Sequence, residues 1–215
     1  MTIILGVLND KCAVVASDSI KVSPQKQIDY NFNKTFEFAD PPIVGAYAGL
    51  LKFNGLYVPD HIQNAIYKHQ IASWKDLLKS VENEITANLS QVKPSTAKFP
   101  RTVELILAGK KNFTEGPFEI FTIDFAESED KKSILSKSHS YKGKGACAYG
   151  GDDKAQAAVE KRLVKKKGAI GKLRAPKLIK LAIGSIERGI NNCGPHETFP
   201  DIQSCGGESQ YKILR

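Results

Sequence analysis

The sequence predicts an α+β fold of four layers, helix on sheet on sheet on helix, and three observations carry that prediction. Strand-like apolar runs fall into two groups, before and after a pair of helical stripes. A second pair of helical stripes follows the later group, and a final strand closes the chain. Each stripe is apolar on one side only, so each helix needs a sheet face to cover, and two sheets supply those faces. No linker or internal repeat separates the halves, so residues 1–215 are expected to form one domain.

Residues 3–8 and 12–17 read as a hairpin about Asn9-Asp10-Lys11. Strands at 34–39 and 43–48 flank Asp40-Pro41-Pro42, because proline gives no N–H to a continuing ladder. The period then changes. Ile62, Ala65, Ile66 and His69 recur at helical spacing, and Trp74, Leu77, Leu78, Val81, Ile85 and Leu89 form a longer stripe. Ser73 and Asp76 supply the start of that second helix, a hydroxyl for an early N–H and a carboxylate at the positive end. Strand signals return at 102–108 and 118–124, with weaker ones at 133–138 and 145–149. Asp152 or Asp153 caps a helix whose Ala155, Ala158, Val159 and Leu163 share a face. Pro176 opens the last helix, with Leu178, Ile179, Ala182, Ile183, Ile186 and Ile190 as its buried stripe. A connection over 191–207 leads to a strand at 210–214.

Composition narrows the function classes. With 41% hydrophobic and 25% charged residues the chain resembles a folded globular protein rather than a disordered or fibrous one. No apolar stretch is long enough to cross a bilayer, so no membrane partner is expected. The opening Met1-Thr2-Ile3-Ile4 has no basic segment before its apolar run, which predicts no secretory leader and a cytoplasmic location. The balance of 31 Lys plus Arg against 23 Asp plus Glu gives a net charge of +8, which attracts anions at long range. Its densest run, Lys161, Arg162, Lys165, Lys166 and Lys167, reads as a solvated helix end with no row of aromatics, so no nucleic acid is expected.

No cofactor or metal is expected either. Cys12, Cys147, Cys193 and Cys205 contain no C-x-x-C unit, and reducing surroundings would keep them as thiols. His61 and His69 share an expected helix, but no neighbouring motif completes a zinc ligand set. Gly150-Gly151 lacks the lysine and hydroxyl of a phosphate loop. Cys193 with His196 suggests a thiol nucleophile, yet no third group orients the pair.

Thr2 carries the strongest chemistry. Removal of Met1 would put an α-amine and a hydroxyl on the same residue, the amine acting as base for the attacking oxygen. An α-amine suits that task because it titrates near roughly 7.7–8.0, against roughly 10.4 for a lysine.

Several stretches resemble the N-terminal-nucleophile hydrolases, and within them the proteasome β-subunits and bacterial proteasome-like peptidases. They are Thr2-Ile3-Ile4-Leu5-Gly6-Val7, Val14-Val15-Ala16-Ser17-Asp18-Ser19, Asn33-Lys34-Thr35-Phe36 and Ala46-Tyr47-Ala48-Gly49-Leu50. Thr2, Asp18 and Lys34 fall at equal intervals, at the relative positions of the family's nucleophile, acid and lysine. Weaker similarity continues through Tyr149-Gly150-Gly151-Asp152, residues 183–194 and Cys205-Gly206-Gly207. The resemblance implies the four-layer alpha-beta-beta-alpha sandwich of that class and a threonine peptidase, with Thr2, Asp18 and Lys34 catalytic. It also implies Gly49 N–H as oxyanion donor.

Ile20, Tyr47 and Phe53 are the candidate specificity pocket, favouring an apolar or aromatic residue before the scissile bond. The expected partners are a peptide or unfolded-protein substrate, further copies of the chain in a compartment-forming homo-oligomer, and an ATP-dependent unfoldase of unknown identity. A noncatalytic structural subunit and a small-molecule amidase are the alternative readings. The chain departs from the family at two places. A serine is common in the turn that here reads Gly150-Gly151-Asp152, and an Arg-Asp-x-x-Ser arrangement is replaced by Arg188-Gly189-Ile190-Asn191-Asn192-Cys193. Gly150, Gly151, Asp152, Asn192 and Cys193 are therefore the candidate substitutes for groups that orient the α-amine.

Overall fold

The computed structural model describes residues 2–22, 27–93, 101–143, 145–195 and 201–215. Its first half runs β1 (Ile3–Leu8), β2 (Ala13–Ser17), β3 (Lys21–Val22), β4 (Ile28–Asp29), β5 (Thr35–Ala39), β6 (Pro42–Gly49), β7 (Lys52–Phe53), β8 (Leu56–Tyr57), α1 (Val58–Lys68) and α2 (Trp74–Leu89). The second half continues with β9 (Val103–Lys110), β10 (Phe118–Glu127), β11 (Ile134–Lys142), β12 (Cys147–Gly151), α3 (Asp153–Val164), α4 (Lys167–Ile170), α5 (Ala175–Ile190) and β13 (Gln210–Leu214). A four-stranded sheet has the order β12-β1-β2-β13, and a five-stranded sheet the order β11-β10-β9-β6-β5. Every neighbouring pair in both is antiparallel.

Strands β1 and β2 are buried at every position because both of their faces are covered. Alternation sends Ile3, Leu5, Val7, Val14 and Ala16 against Val159, Leu178, Ala182 and Ile186 of α3 and α5. The intervening Ile4, Leu8, Ala13 and Val15 meet Val44, Ala46, Ala48, Ile106 and Ile120 of the five-stranded sheet. The other face of that sheet, with Ile43, Tyr47, Leu105, Leu107 and Ile123, packs on Ile62, Leu77, Val81, Ile85 and Leu89 of α1 and α2. At roughly 1.5–3 kcal/mol for each fully buried aliphatic side chain, these three clusters dominate the stabilisation.

The expected caps form. Ser73 Oγ accepts the Asp76 N–H at 3.3 Å, and Asp152 Oδ1 accepts the Ala155 N–H at 2.9 Å. The short elements β3, β4, β7, β8 and α4 were not expected, and two longer stretches differ in a way that has a physical reason. Helix α1 stops at Lys68, and His69 is extended, so the two histidines do not share a helix. Strand β11 runs on to Lys142, past the expected 133–138, although most of its positions are exposed. Cross-strand pairing with β10 along its whole length sets that extent, which an edge strand's own residues do not signal.

One consequence of the antiparallel order is that nine chain segments lie at the same end of the two sheets. They are the starts of β1, β5, β9, β11 and β13 and the ends of β2, β6, β10 and β12.

Candidate active site

Thr2 immediately precedes β1, Asp18 follows β2 and Lys34 precedes β5, so the strand ends bring all three together. The Lys34 ammonium donates to Thr2 Oγ1 at 2.5 Å and to Asp18 Oδ1 at 3.0 Å. Asp18 and Lys34 are fully buried and Thr2 is 3% exposed. Burying this ion pair costs several kcal/mol per ion unless its lone pairs find donors. Asp18 finds two besides the lysine: Ile3 N–H reaches Oδ1 at 3.2 Å and Gly206 N–H reaches Oδ2 at 3.0 Å. The Lys34 backbone is pinned as well, its N–H donating to Gln210 Oε1 at 3.1 Å and its carbonyl accepting the Tyr47 N–H at 3.2 Å.

Burial pushes the Lys34 pKa below the usual lysine range, against the opposing pull of the Asp18 charge and hydrogen bond and of Cys205. The result is a rigidly aimed ammonium that releases its proton more readily than a solvated lysine, in contact with a hydroxyl.

The hydroxyl opens on a cleft of about 460 Å³, lined by Gly49, Thr102, Glu104, Gly151, Asp152 and other residues. Gly49 ends β6 with φ of +86°, and the Thr102 carbonyl occupies the space a Cβ would need. Leu50 N–H bonds Thr102 O on one edge of the strand and Tyr47 N–H bonds Lys34 O on the other. Strand alternation therefore places the Gly49 N–H on the edge that faces Lys34.

The opposite wall is the turn after β12. Asp152 N–H donates to the Thr2 carbonyl at 2.8 Å. Gly151, with φ of +105°, lies so close to that carbonyl that any Cβ would collide with it. Behind the turn, Glu104 Oε2 accepts the Gly151 N–H at 2.7 Å. The Ser204 hydroxyl stands 2.6 Å from Asp152 Oδ2 and 2.9 Å from Gly194 O, one proton between two acceptors. Burial alone would raise the Asp152 carboxyl. Hydrogen bonds from Ser204 and from the N–H groups of Ala155, Gly194 and Lys154 outweigh it and hold the group below its ordinary value.

The sequence candidates thus separate. Thr2, Asp18 and Lys34 converge, and Gly49, Gly151 and Asp152 share the cleft with Thr2. Gly150 faces away into a second, smaller cavity. Asn192 turns its side-chain amide onto Arg188 O at 2.8 Å, and Cys193 Sγ lies 3.3 Å from the Cys205 backbone; neither lines the cleft. Ile20, Tyr47 and Phe53 do not line it either. All three are buried, Phe53 stacked on His61 with ring centroids 4.1 Å apart and Tyr47 packed beside Phe36. Met1 and His196 lie outside the described residues. Among the described residues no three His, Cys, Asp or Glu side chains gather as a metal site.

Sequence reading missed Glu104 and Ser204, and marked Gly206 only as part of a turn of weaker similarity. Glu104 had a signal, a lone acid within the apolar run Val103 to Ala108. Ser204 had none, since only the chain's return past β1 brings it here.

No protein-family model matches the sequence, and no curated protein matches it. Solved structures do match. The eukaryotic HslV from Trypanosoma brucei is 12% identical with a TM-score of 0.53, covering 100% of this chain and 99% of its own. Anbu, an ancestral beta-subunit from Yersinia bercovieri, is 14% identical with a TM-score of 0.61, covering 99% of this chain and 81% of its own. Anbu from Pseudomonas aeruginosa, described as a helical assembly, is 14% identical with a TM-score of 0.65, covering 100% and 81% respectively. At such identities the likeness is one of fold: this chain shares the fold of HslV and of the Anbu beta-subunits.

Proposed function

We propose that this chain is a threonine peptidase, a single proteasome-β-like domain over residues 1–215 built as a four-layer alpha-beta-beta-alpha sandwich, active after removal of Met1. The observation that carries the reading is the Lys34 ammonium bridging Thr2 Oγ1 and Asp18 at the head of an open cleft. An ordinary surface ion pair needs no hydroxyl, no burial and no cleft, and contributes only about 0–1 kcal/mol.

In this mechanism Thr2 Oγ attacks the peptide carbonyl while its proton passes to the α-amine of the same residue. Lys34 lowers the cost of negative charge on the attacking oxygen, and Gly49 N–H receives the oxyanion. The new ammonium gives its proton to the leaving nitrogen, the C–N bond breaks, and an ester remains on Thr2. Water then attacks that ester, losing its proton to the amine; the C–Oγ bond breaks, the ammonium returns its proton to Thr2 Oγ1, and the acid departs. Asp152 N–H holds the Thr2 carbonyl, and Asp152 with Ser204 takes the place of the family's serine and Arg-Asp-x-x-Ser groups. The substrate class is a peptide or unfolded protein, the setting a cytoplasmic homo-oligomer; the helical assembly described for Pseudomonas aeruginosa Anbu supports self-association.

The test is intact and peptide mass spectrometry after incubation with an electrophilic peptide inhibitor. The expected result is a chain lacking Met1 with an adduct confined to Thr2, and loss of both adduct and peptide turnover in Thr2→Ala. An adduct on Cys193, or undiminished turnover by Thr2→Ala, would reject the nucleophile. An assembled, unreactive wild type with Met1 retained favours a structural subunit.

A further inference from the structure

We propose that Glu104 is a titratable positioning residue for Thr2, tightening the Gly151–Asp152 turn on the Thr2 carbonyl when it ionises. Its effect on turnover rests on the peptidase reading of Thr2; its effect on the turn does not. The geometry is a short relay. Glu104 Oε2 accepts the Gly151 N–H at 2.7 Å, and the next residue, Asp152, donates its N–H to Thr2 O at 2.8 Å. Gly151 fills the gap between the two bonds with its backbone against the Thr2 carbonyl. Whatever moves Gly151 moves the residue that bears both the hydroxyl and the future amine.

Glu104 stands in the wall between two cavities, the Thr2 cleft and a polar cavity of about 250 Å³. Among the described residues no lysine, arginine or histidine forms an ion pair with it. The charged and titratable groups around it are Asp124 on β10, Asp152 and Asp153 at the start of α3, and Lys154 on the cleft side. His139 and Tyr141 of β11 and Tyr149 of β12 line the rear cavity. Burial, with help from the Asp124 and Asp153 charges, pushes the Glu104 carboxyl up to about 7, against the Gly151 hydrogen bond that favours its ionised form. Near neutrality the acceptor of the Gly151 N–H therefore switches between a carboxylate and a neutral acid. A hydrogen bond to an ionised acceptor is roughly twice as strong as a neutral one. Catalysis is sensitive to such a change, since a displacement of about 1 Å at a reacting group costs on the order of 10²-fold.

A merely structural acid is replaced by glutamine without consequence for pH dependence, because the amide oxygen still accepts the Gly151 N–H. The experiment compares wild type, Glu104→Gln and Glu104→Ala in the assembled protein, with Thr2→Ala as background control. Backbone amide shifts of Gly151 and Asp152 are followed by NMR from pH 5 to 9, and addition of an electrophilic peptide to Thr2 is timed by mass spectrometry. Both amides should titrate together with a midpoint near 7 in wild type and in Thr2→Ala, and that step should be absent from Glu104→Gln, where only the α-amine step near roughly 7.7–8.0 remains. The acid limb of adduct formation should be steeper in wild type by about one proton, so that Glu104→Gln loses about tenfold less rate between pH 8 and 6. Glu104→Ala should be slow throughout. Amides that show no step near 7 in wild type, or that keep it in Glu104→Gln, overturn the proposal, as do identical acid limbs in wild type and Glu104→Gln. Titrating amides with no Thr2 adduct at any pH leave Glu104's hold on the turn standing and overturn the peptidase reading alone.

Discussion

Two carboxylates approach Thr2 from different sheets, and the fold treats them in opposite ways. Asp18, at the end of an inner strand of the four-stranded sheet, is fully buried yet receives the Lys34 ammonium and two backbone N–H groups. Glu104, on the five-stranded sheet, receives a single amide and faces two further acids. Burial penalises both charges, and what differs is the number of donors set against it. The carboxylate beside the nucleophile is matched by three donors, and the one across the cleft by a single amide.

The largest expected effect comes from breaking the Asp18 side. Asp18→Ala leaves the buried Lys34 ammonium without a counter-charge, which should cost about 3–5 kcal/mol in urea unfolding and abolish the Thr2 adduct. A loss below about 1 kcal/mol would mean that the pair is solvated and the contrast false. Next is Gly151→Ala on the opposite wall. Its φ of +105° and the Thr2 carbonyl beside it leave no room for a methyl group. About 1–3 kcal/mol of backbone strain and a slower reaction at Thr2 are expected, and unchanged stability with unchanged reactivity would show that the turn does not hold the nucleophile.

Ser204→Ala is the milder probe of the same wall. It removes the hydroxyl from Asp152 Oδ2, a loss of about 1–2 kcal/mol visible in the thermal midpoint, and it should raise the Asp152 pKa in a carboxyl titration. The smallest effect is in the pH dependence of stability. The Glu104 pKa rises from 4.5 to about 7 on folding, so between those values the native chain keeps a proton that the unfolded chain has released. Stability should fall as pH rises through that window, with the loss complete above about 7, and Glu104→Gln should flatten the fall. Because the side chain is partly exposed, the difference is on the order of 1 kcal/mol. A Glu104→Gln curve parallel to wild type would erase the distinction between the two carboxylates.

Much of this was readable before the structure. Apolar runs about Asn9-Asp10-Lys11 marked β1 and β2 as strands, and one-sided stripes marked α1, α2, α3 and α5. Thr2, Asp18 and Lys34 were legible through the resemblance of the stretches around them and their equal spacing in the sequence. The specificity pocket was not. Tyr47 and Phe53 are apolar enough for a pocket or for a core, and only the packing of α1 on the five-stranded sheet placed them in the core. Asn192 and Cys193 follow a helix end correctly read, but the side chains turn to Arg188 and Cys205.

By itself the sequence determined which segments are strand or helix and which residues bear reactive groups, because periodicity and side-chain chemistry are local properties. Only the tertiary structure decided which of those groups meet. Gly206 reaches Asp18 across a separation of 188 residues, Ser204 reaches Asp152, and Glu104 reaches Gly151 from another sheet. Such contacts arise from antiparallel strand order and sheet stacking, which close loops no local pattern records, and from burial, which sets how many donors each charge requires.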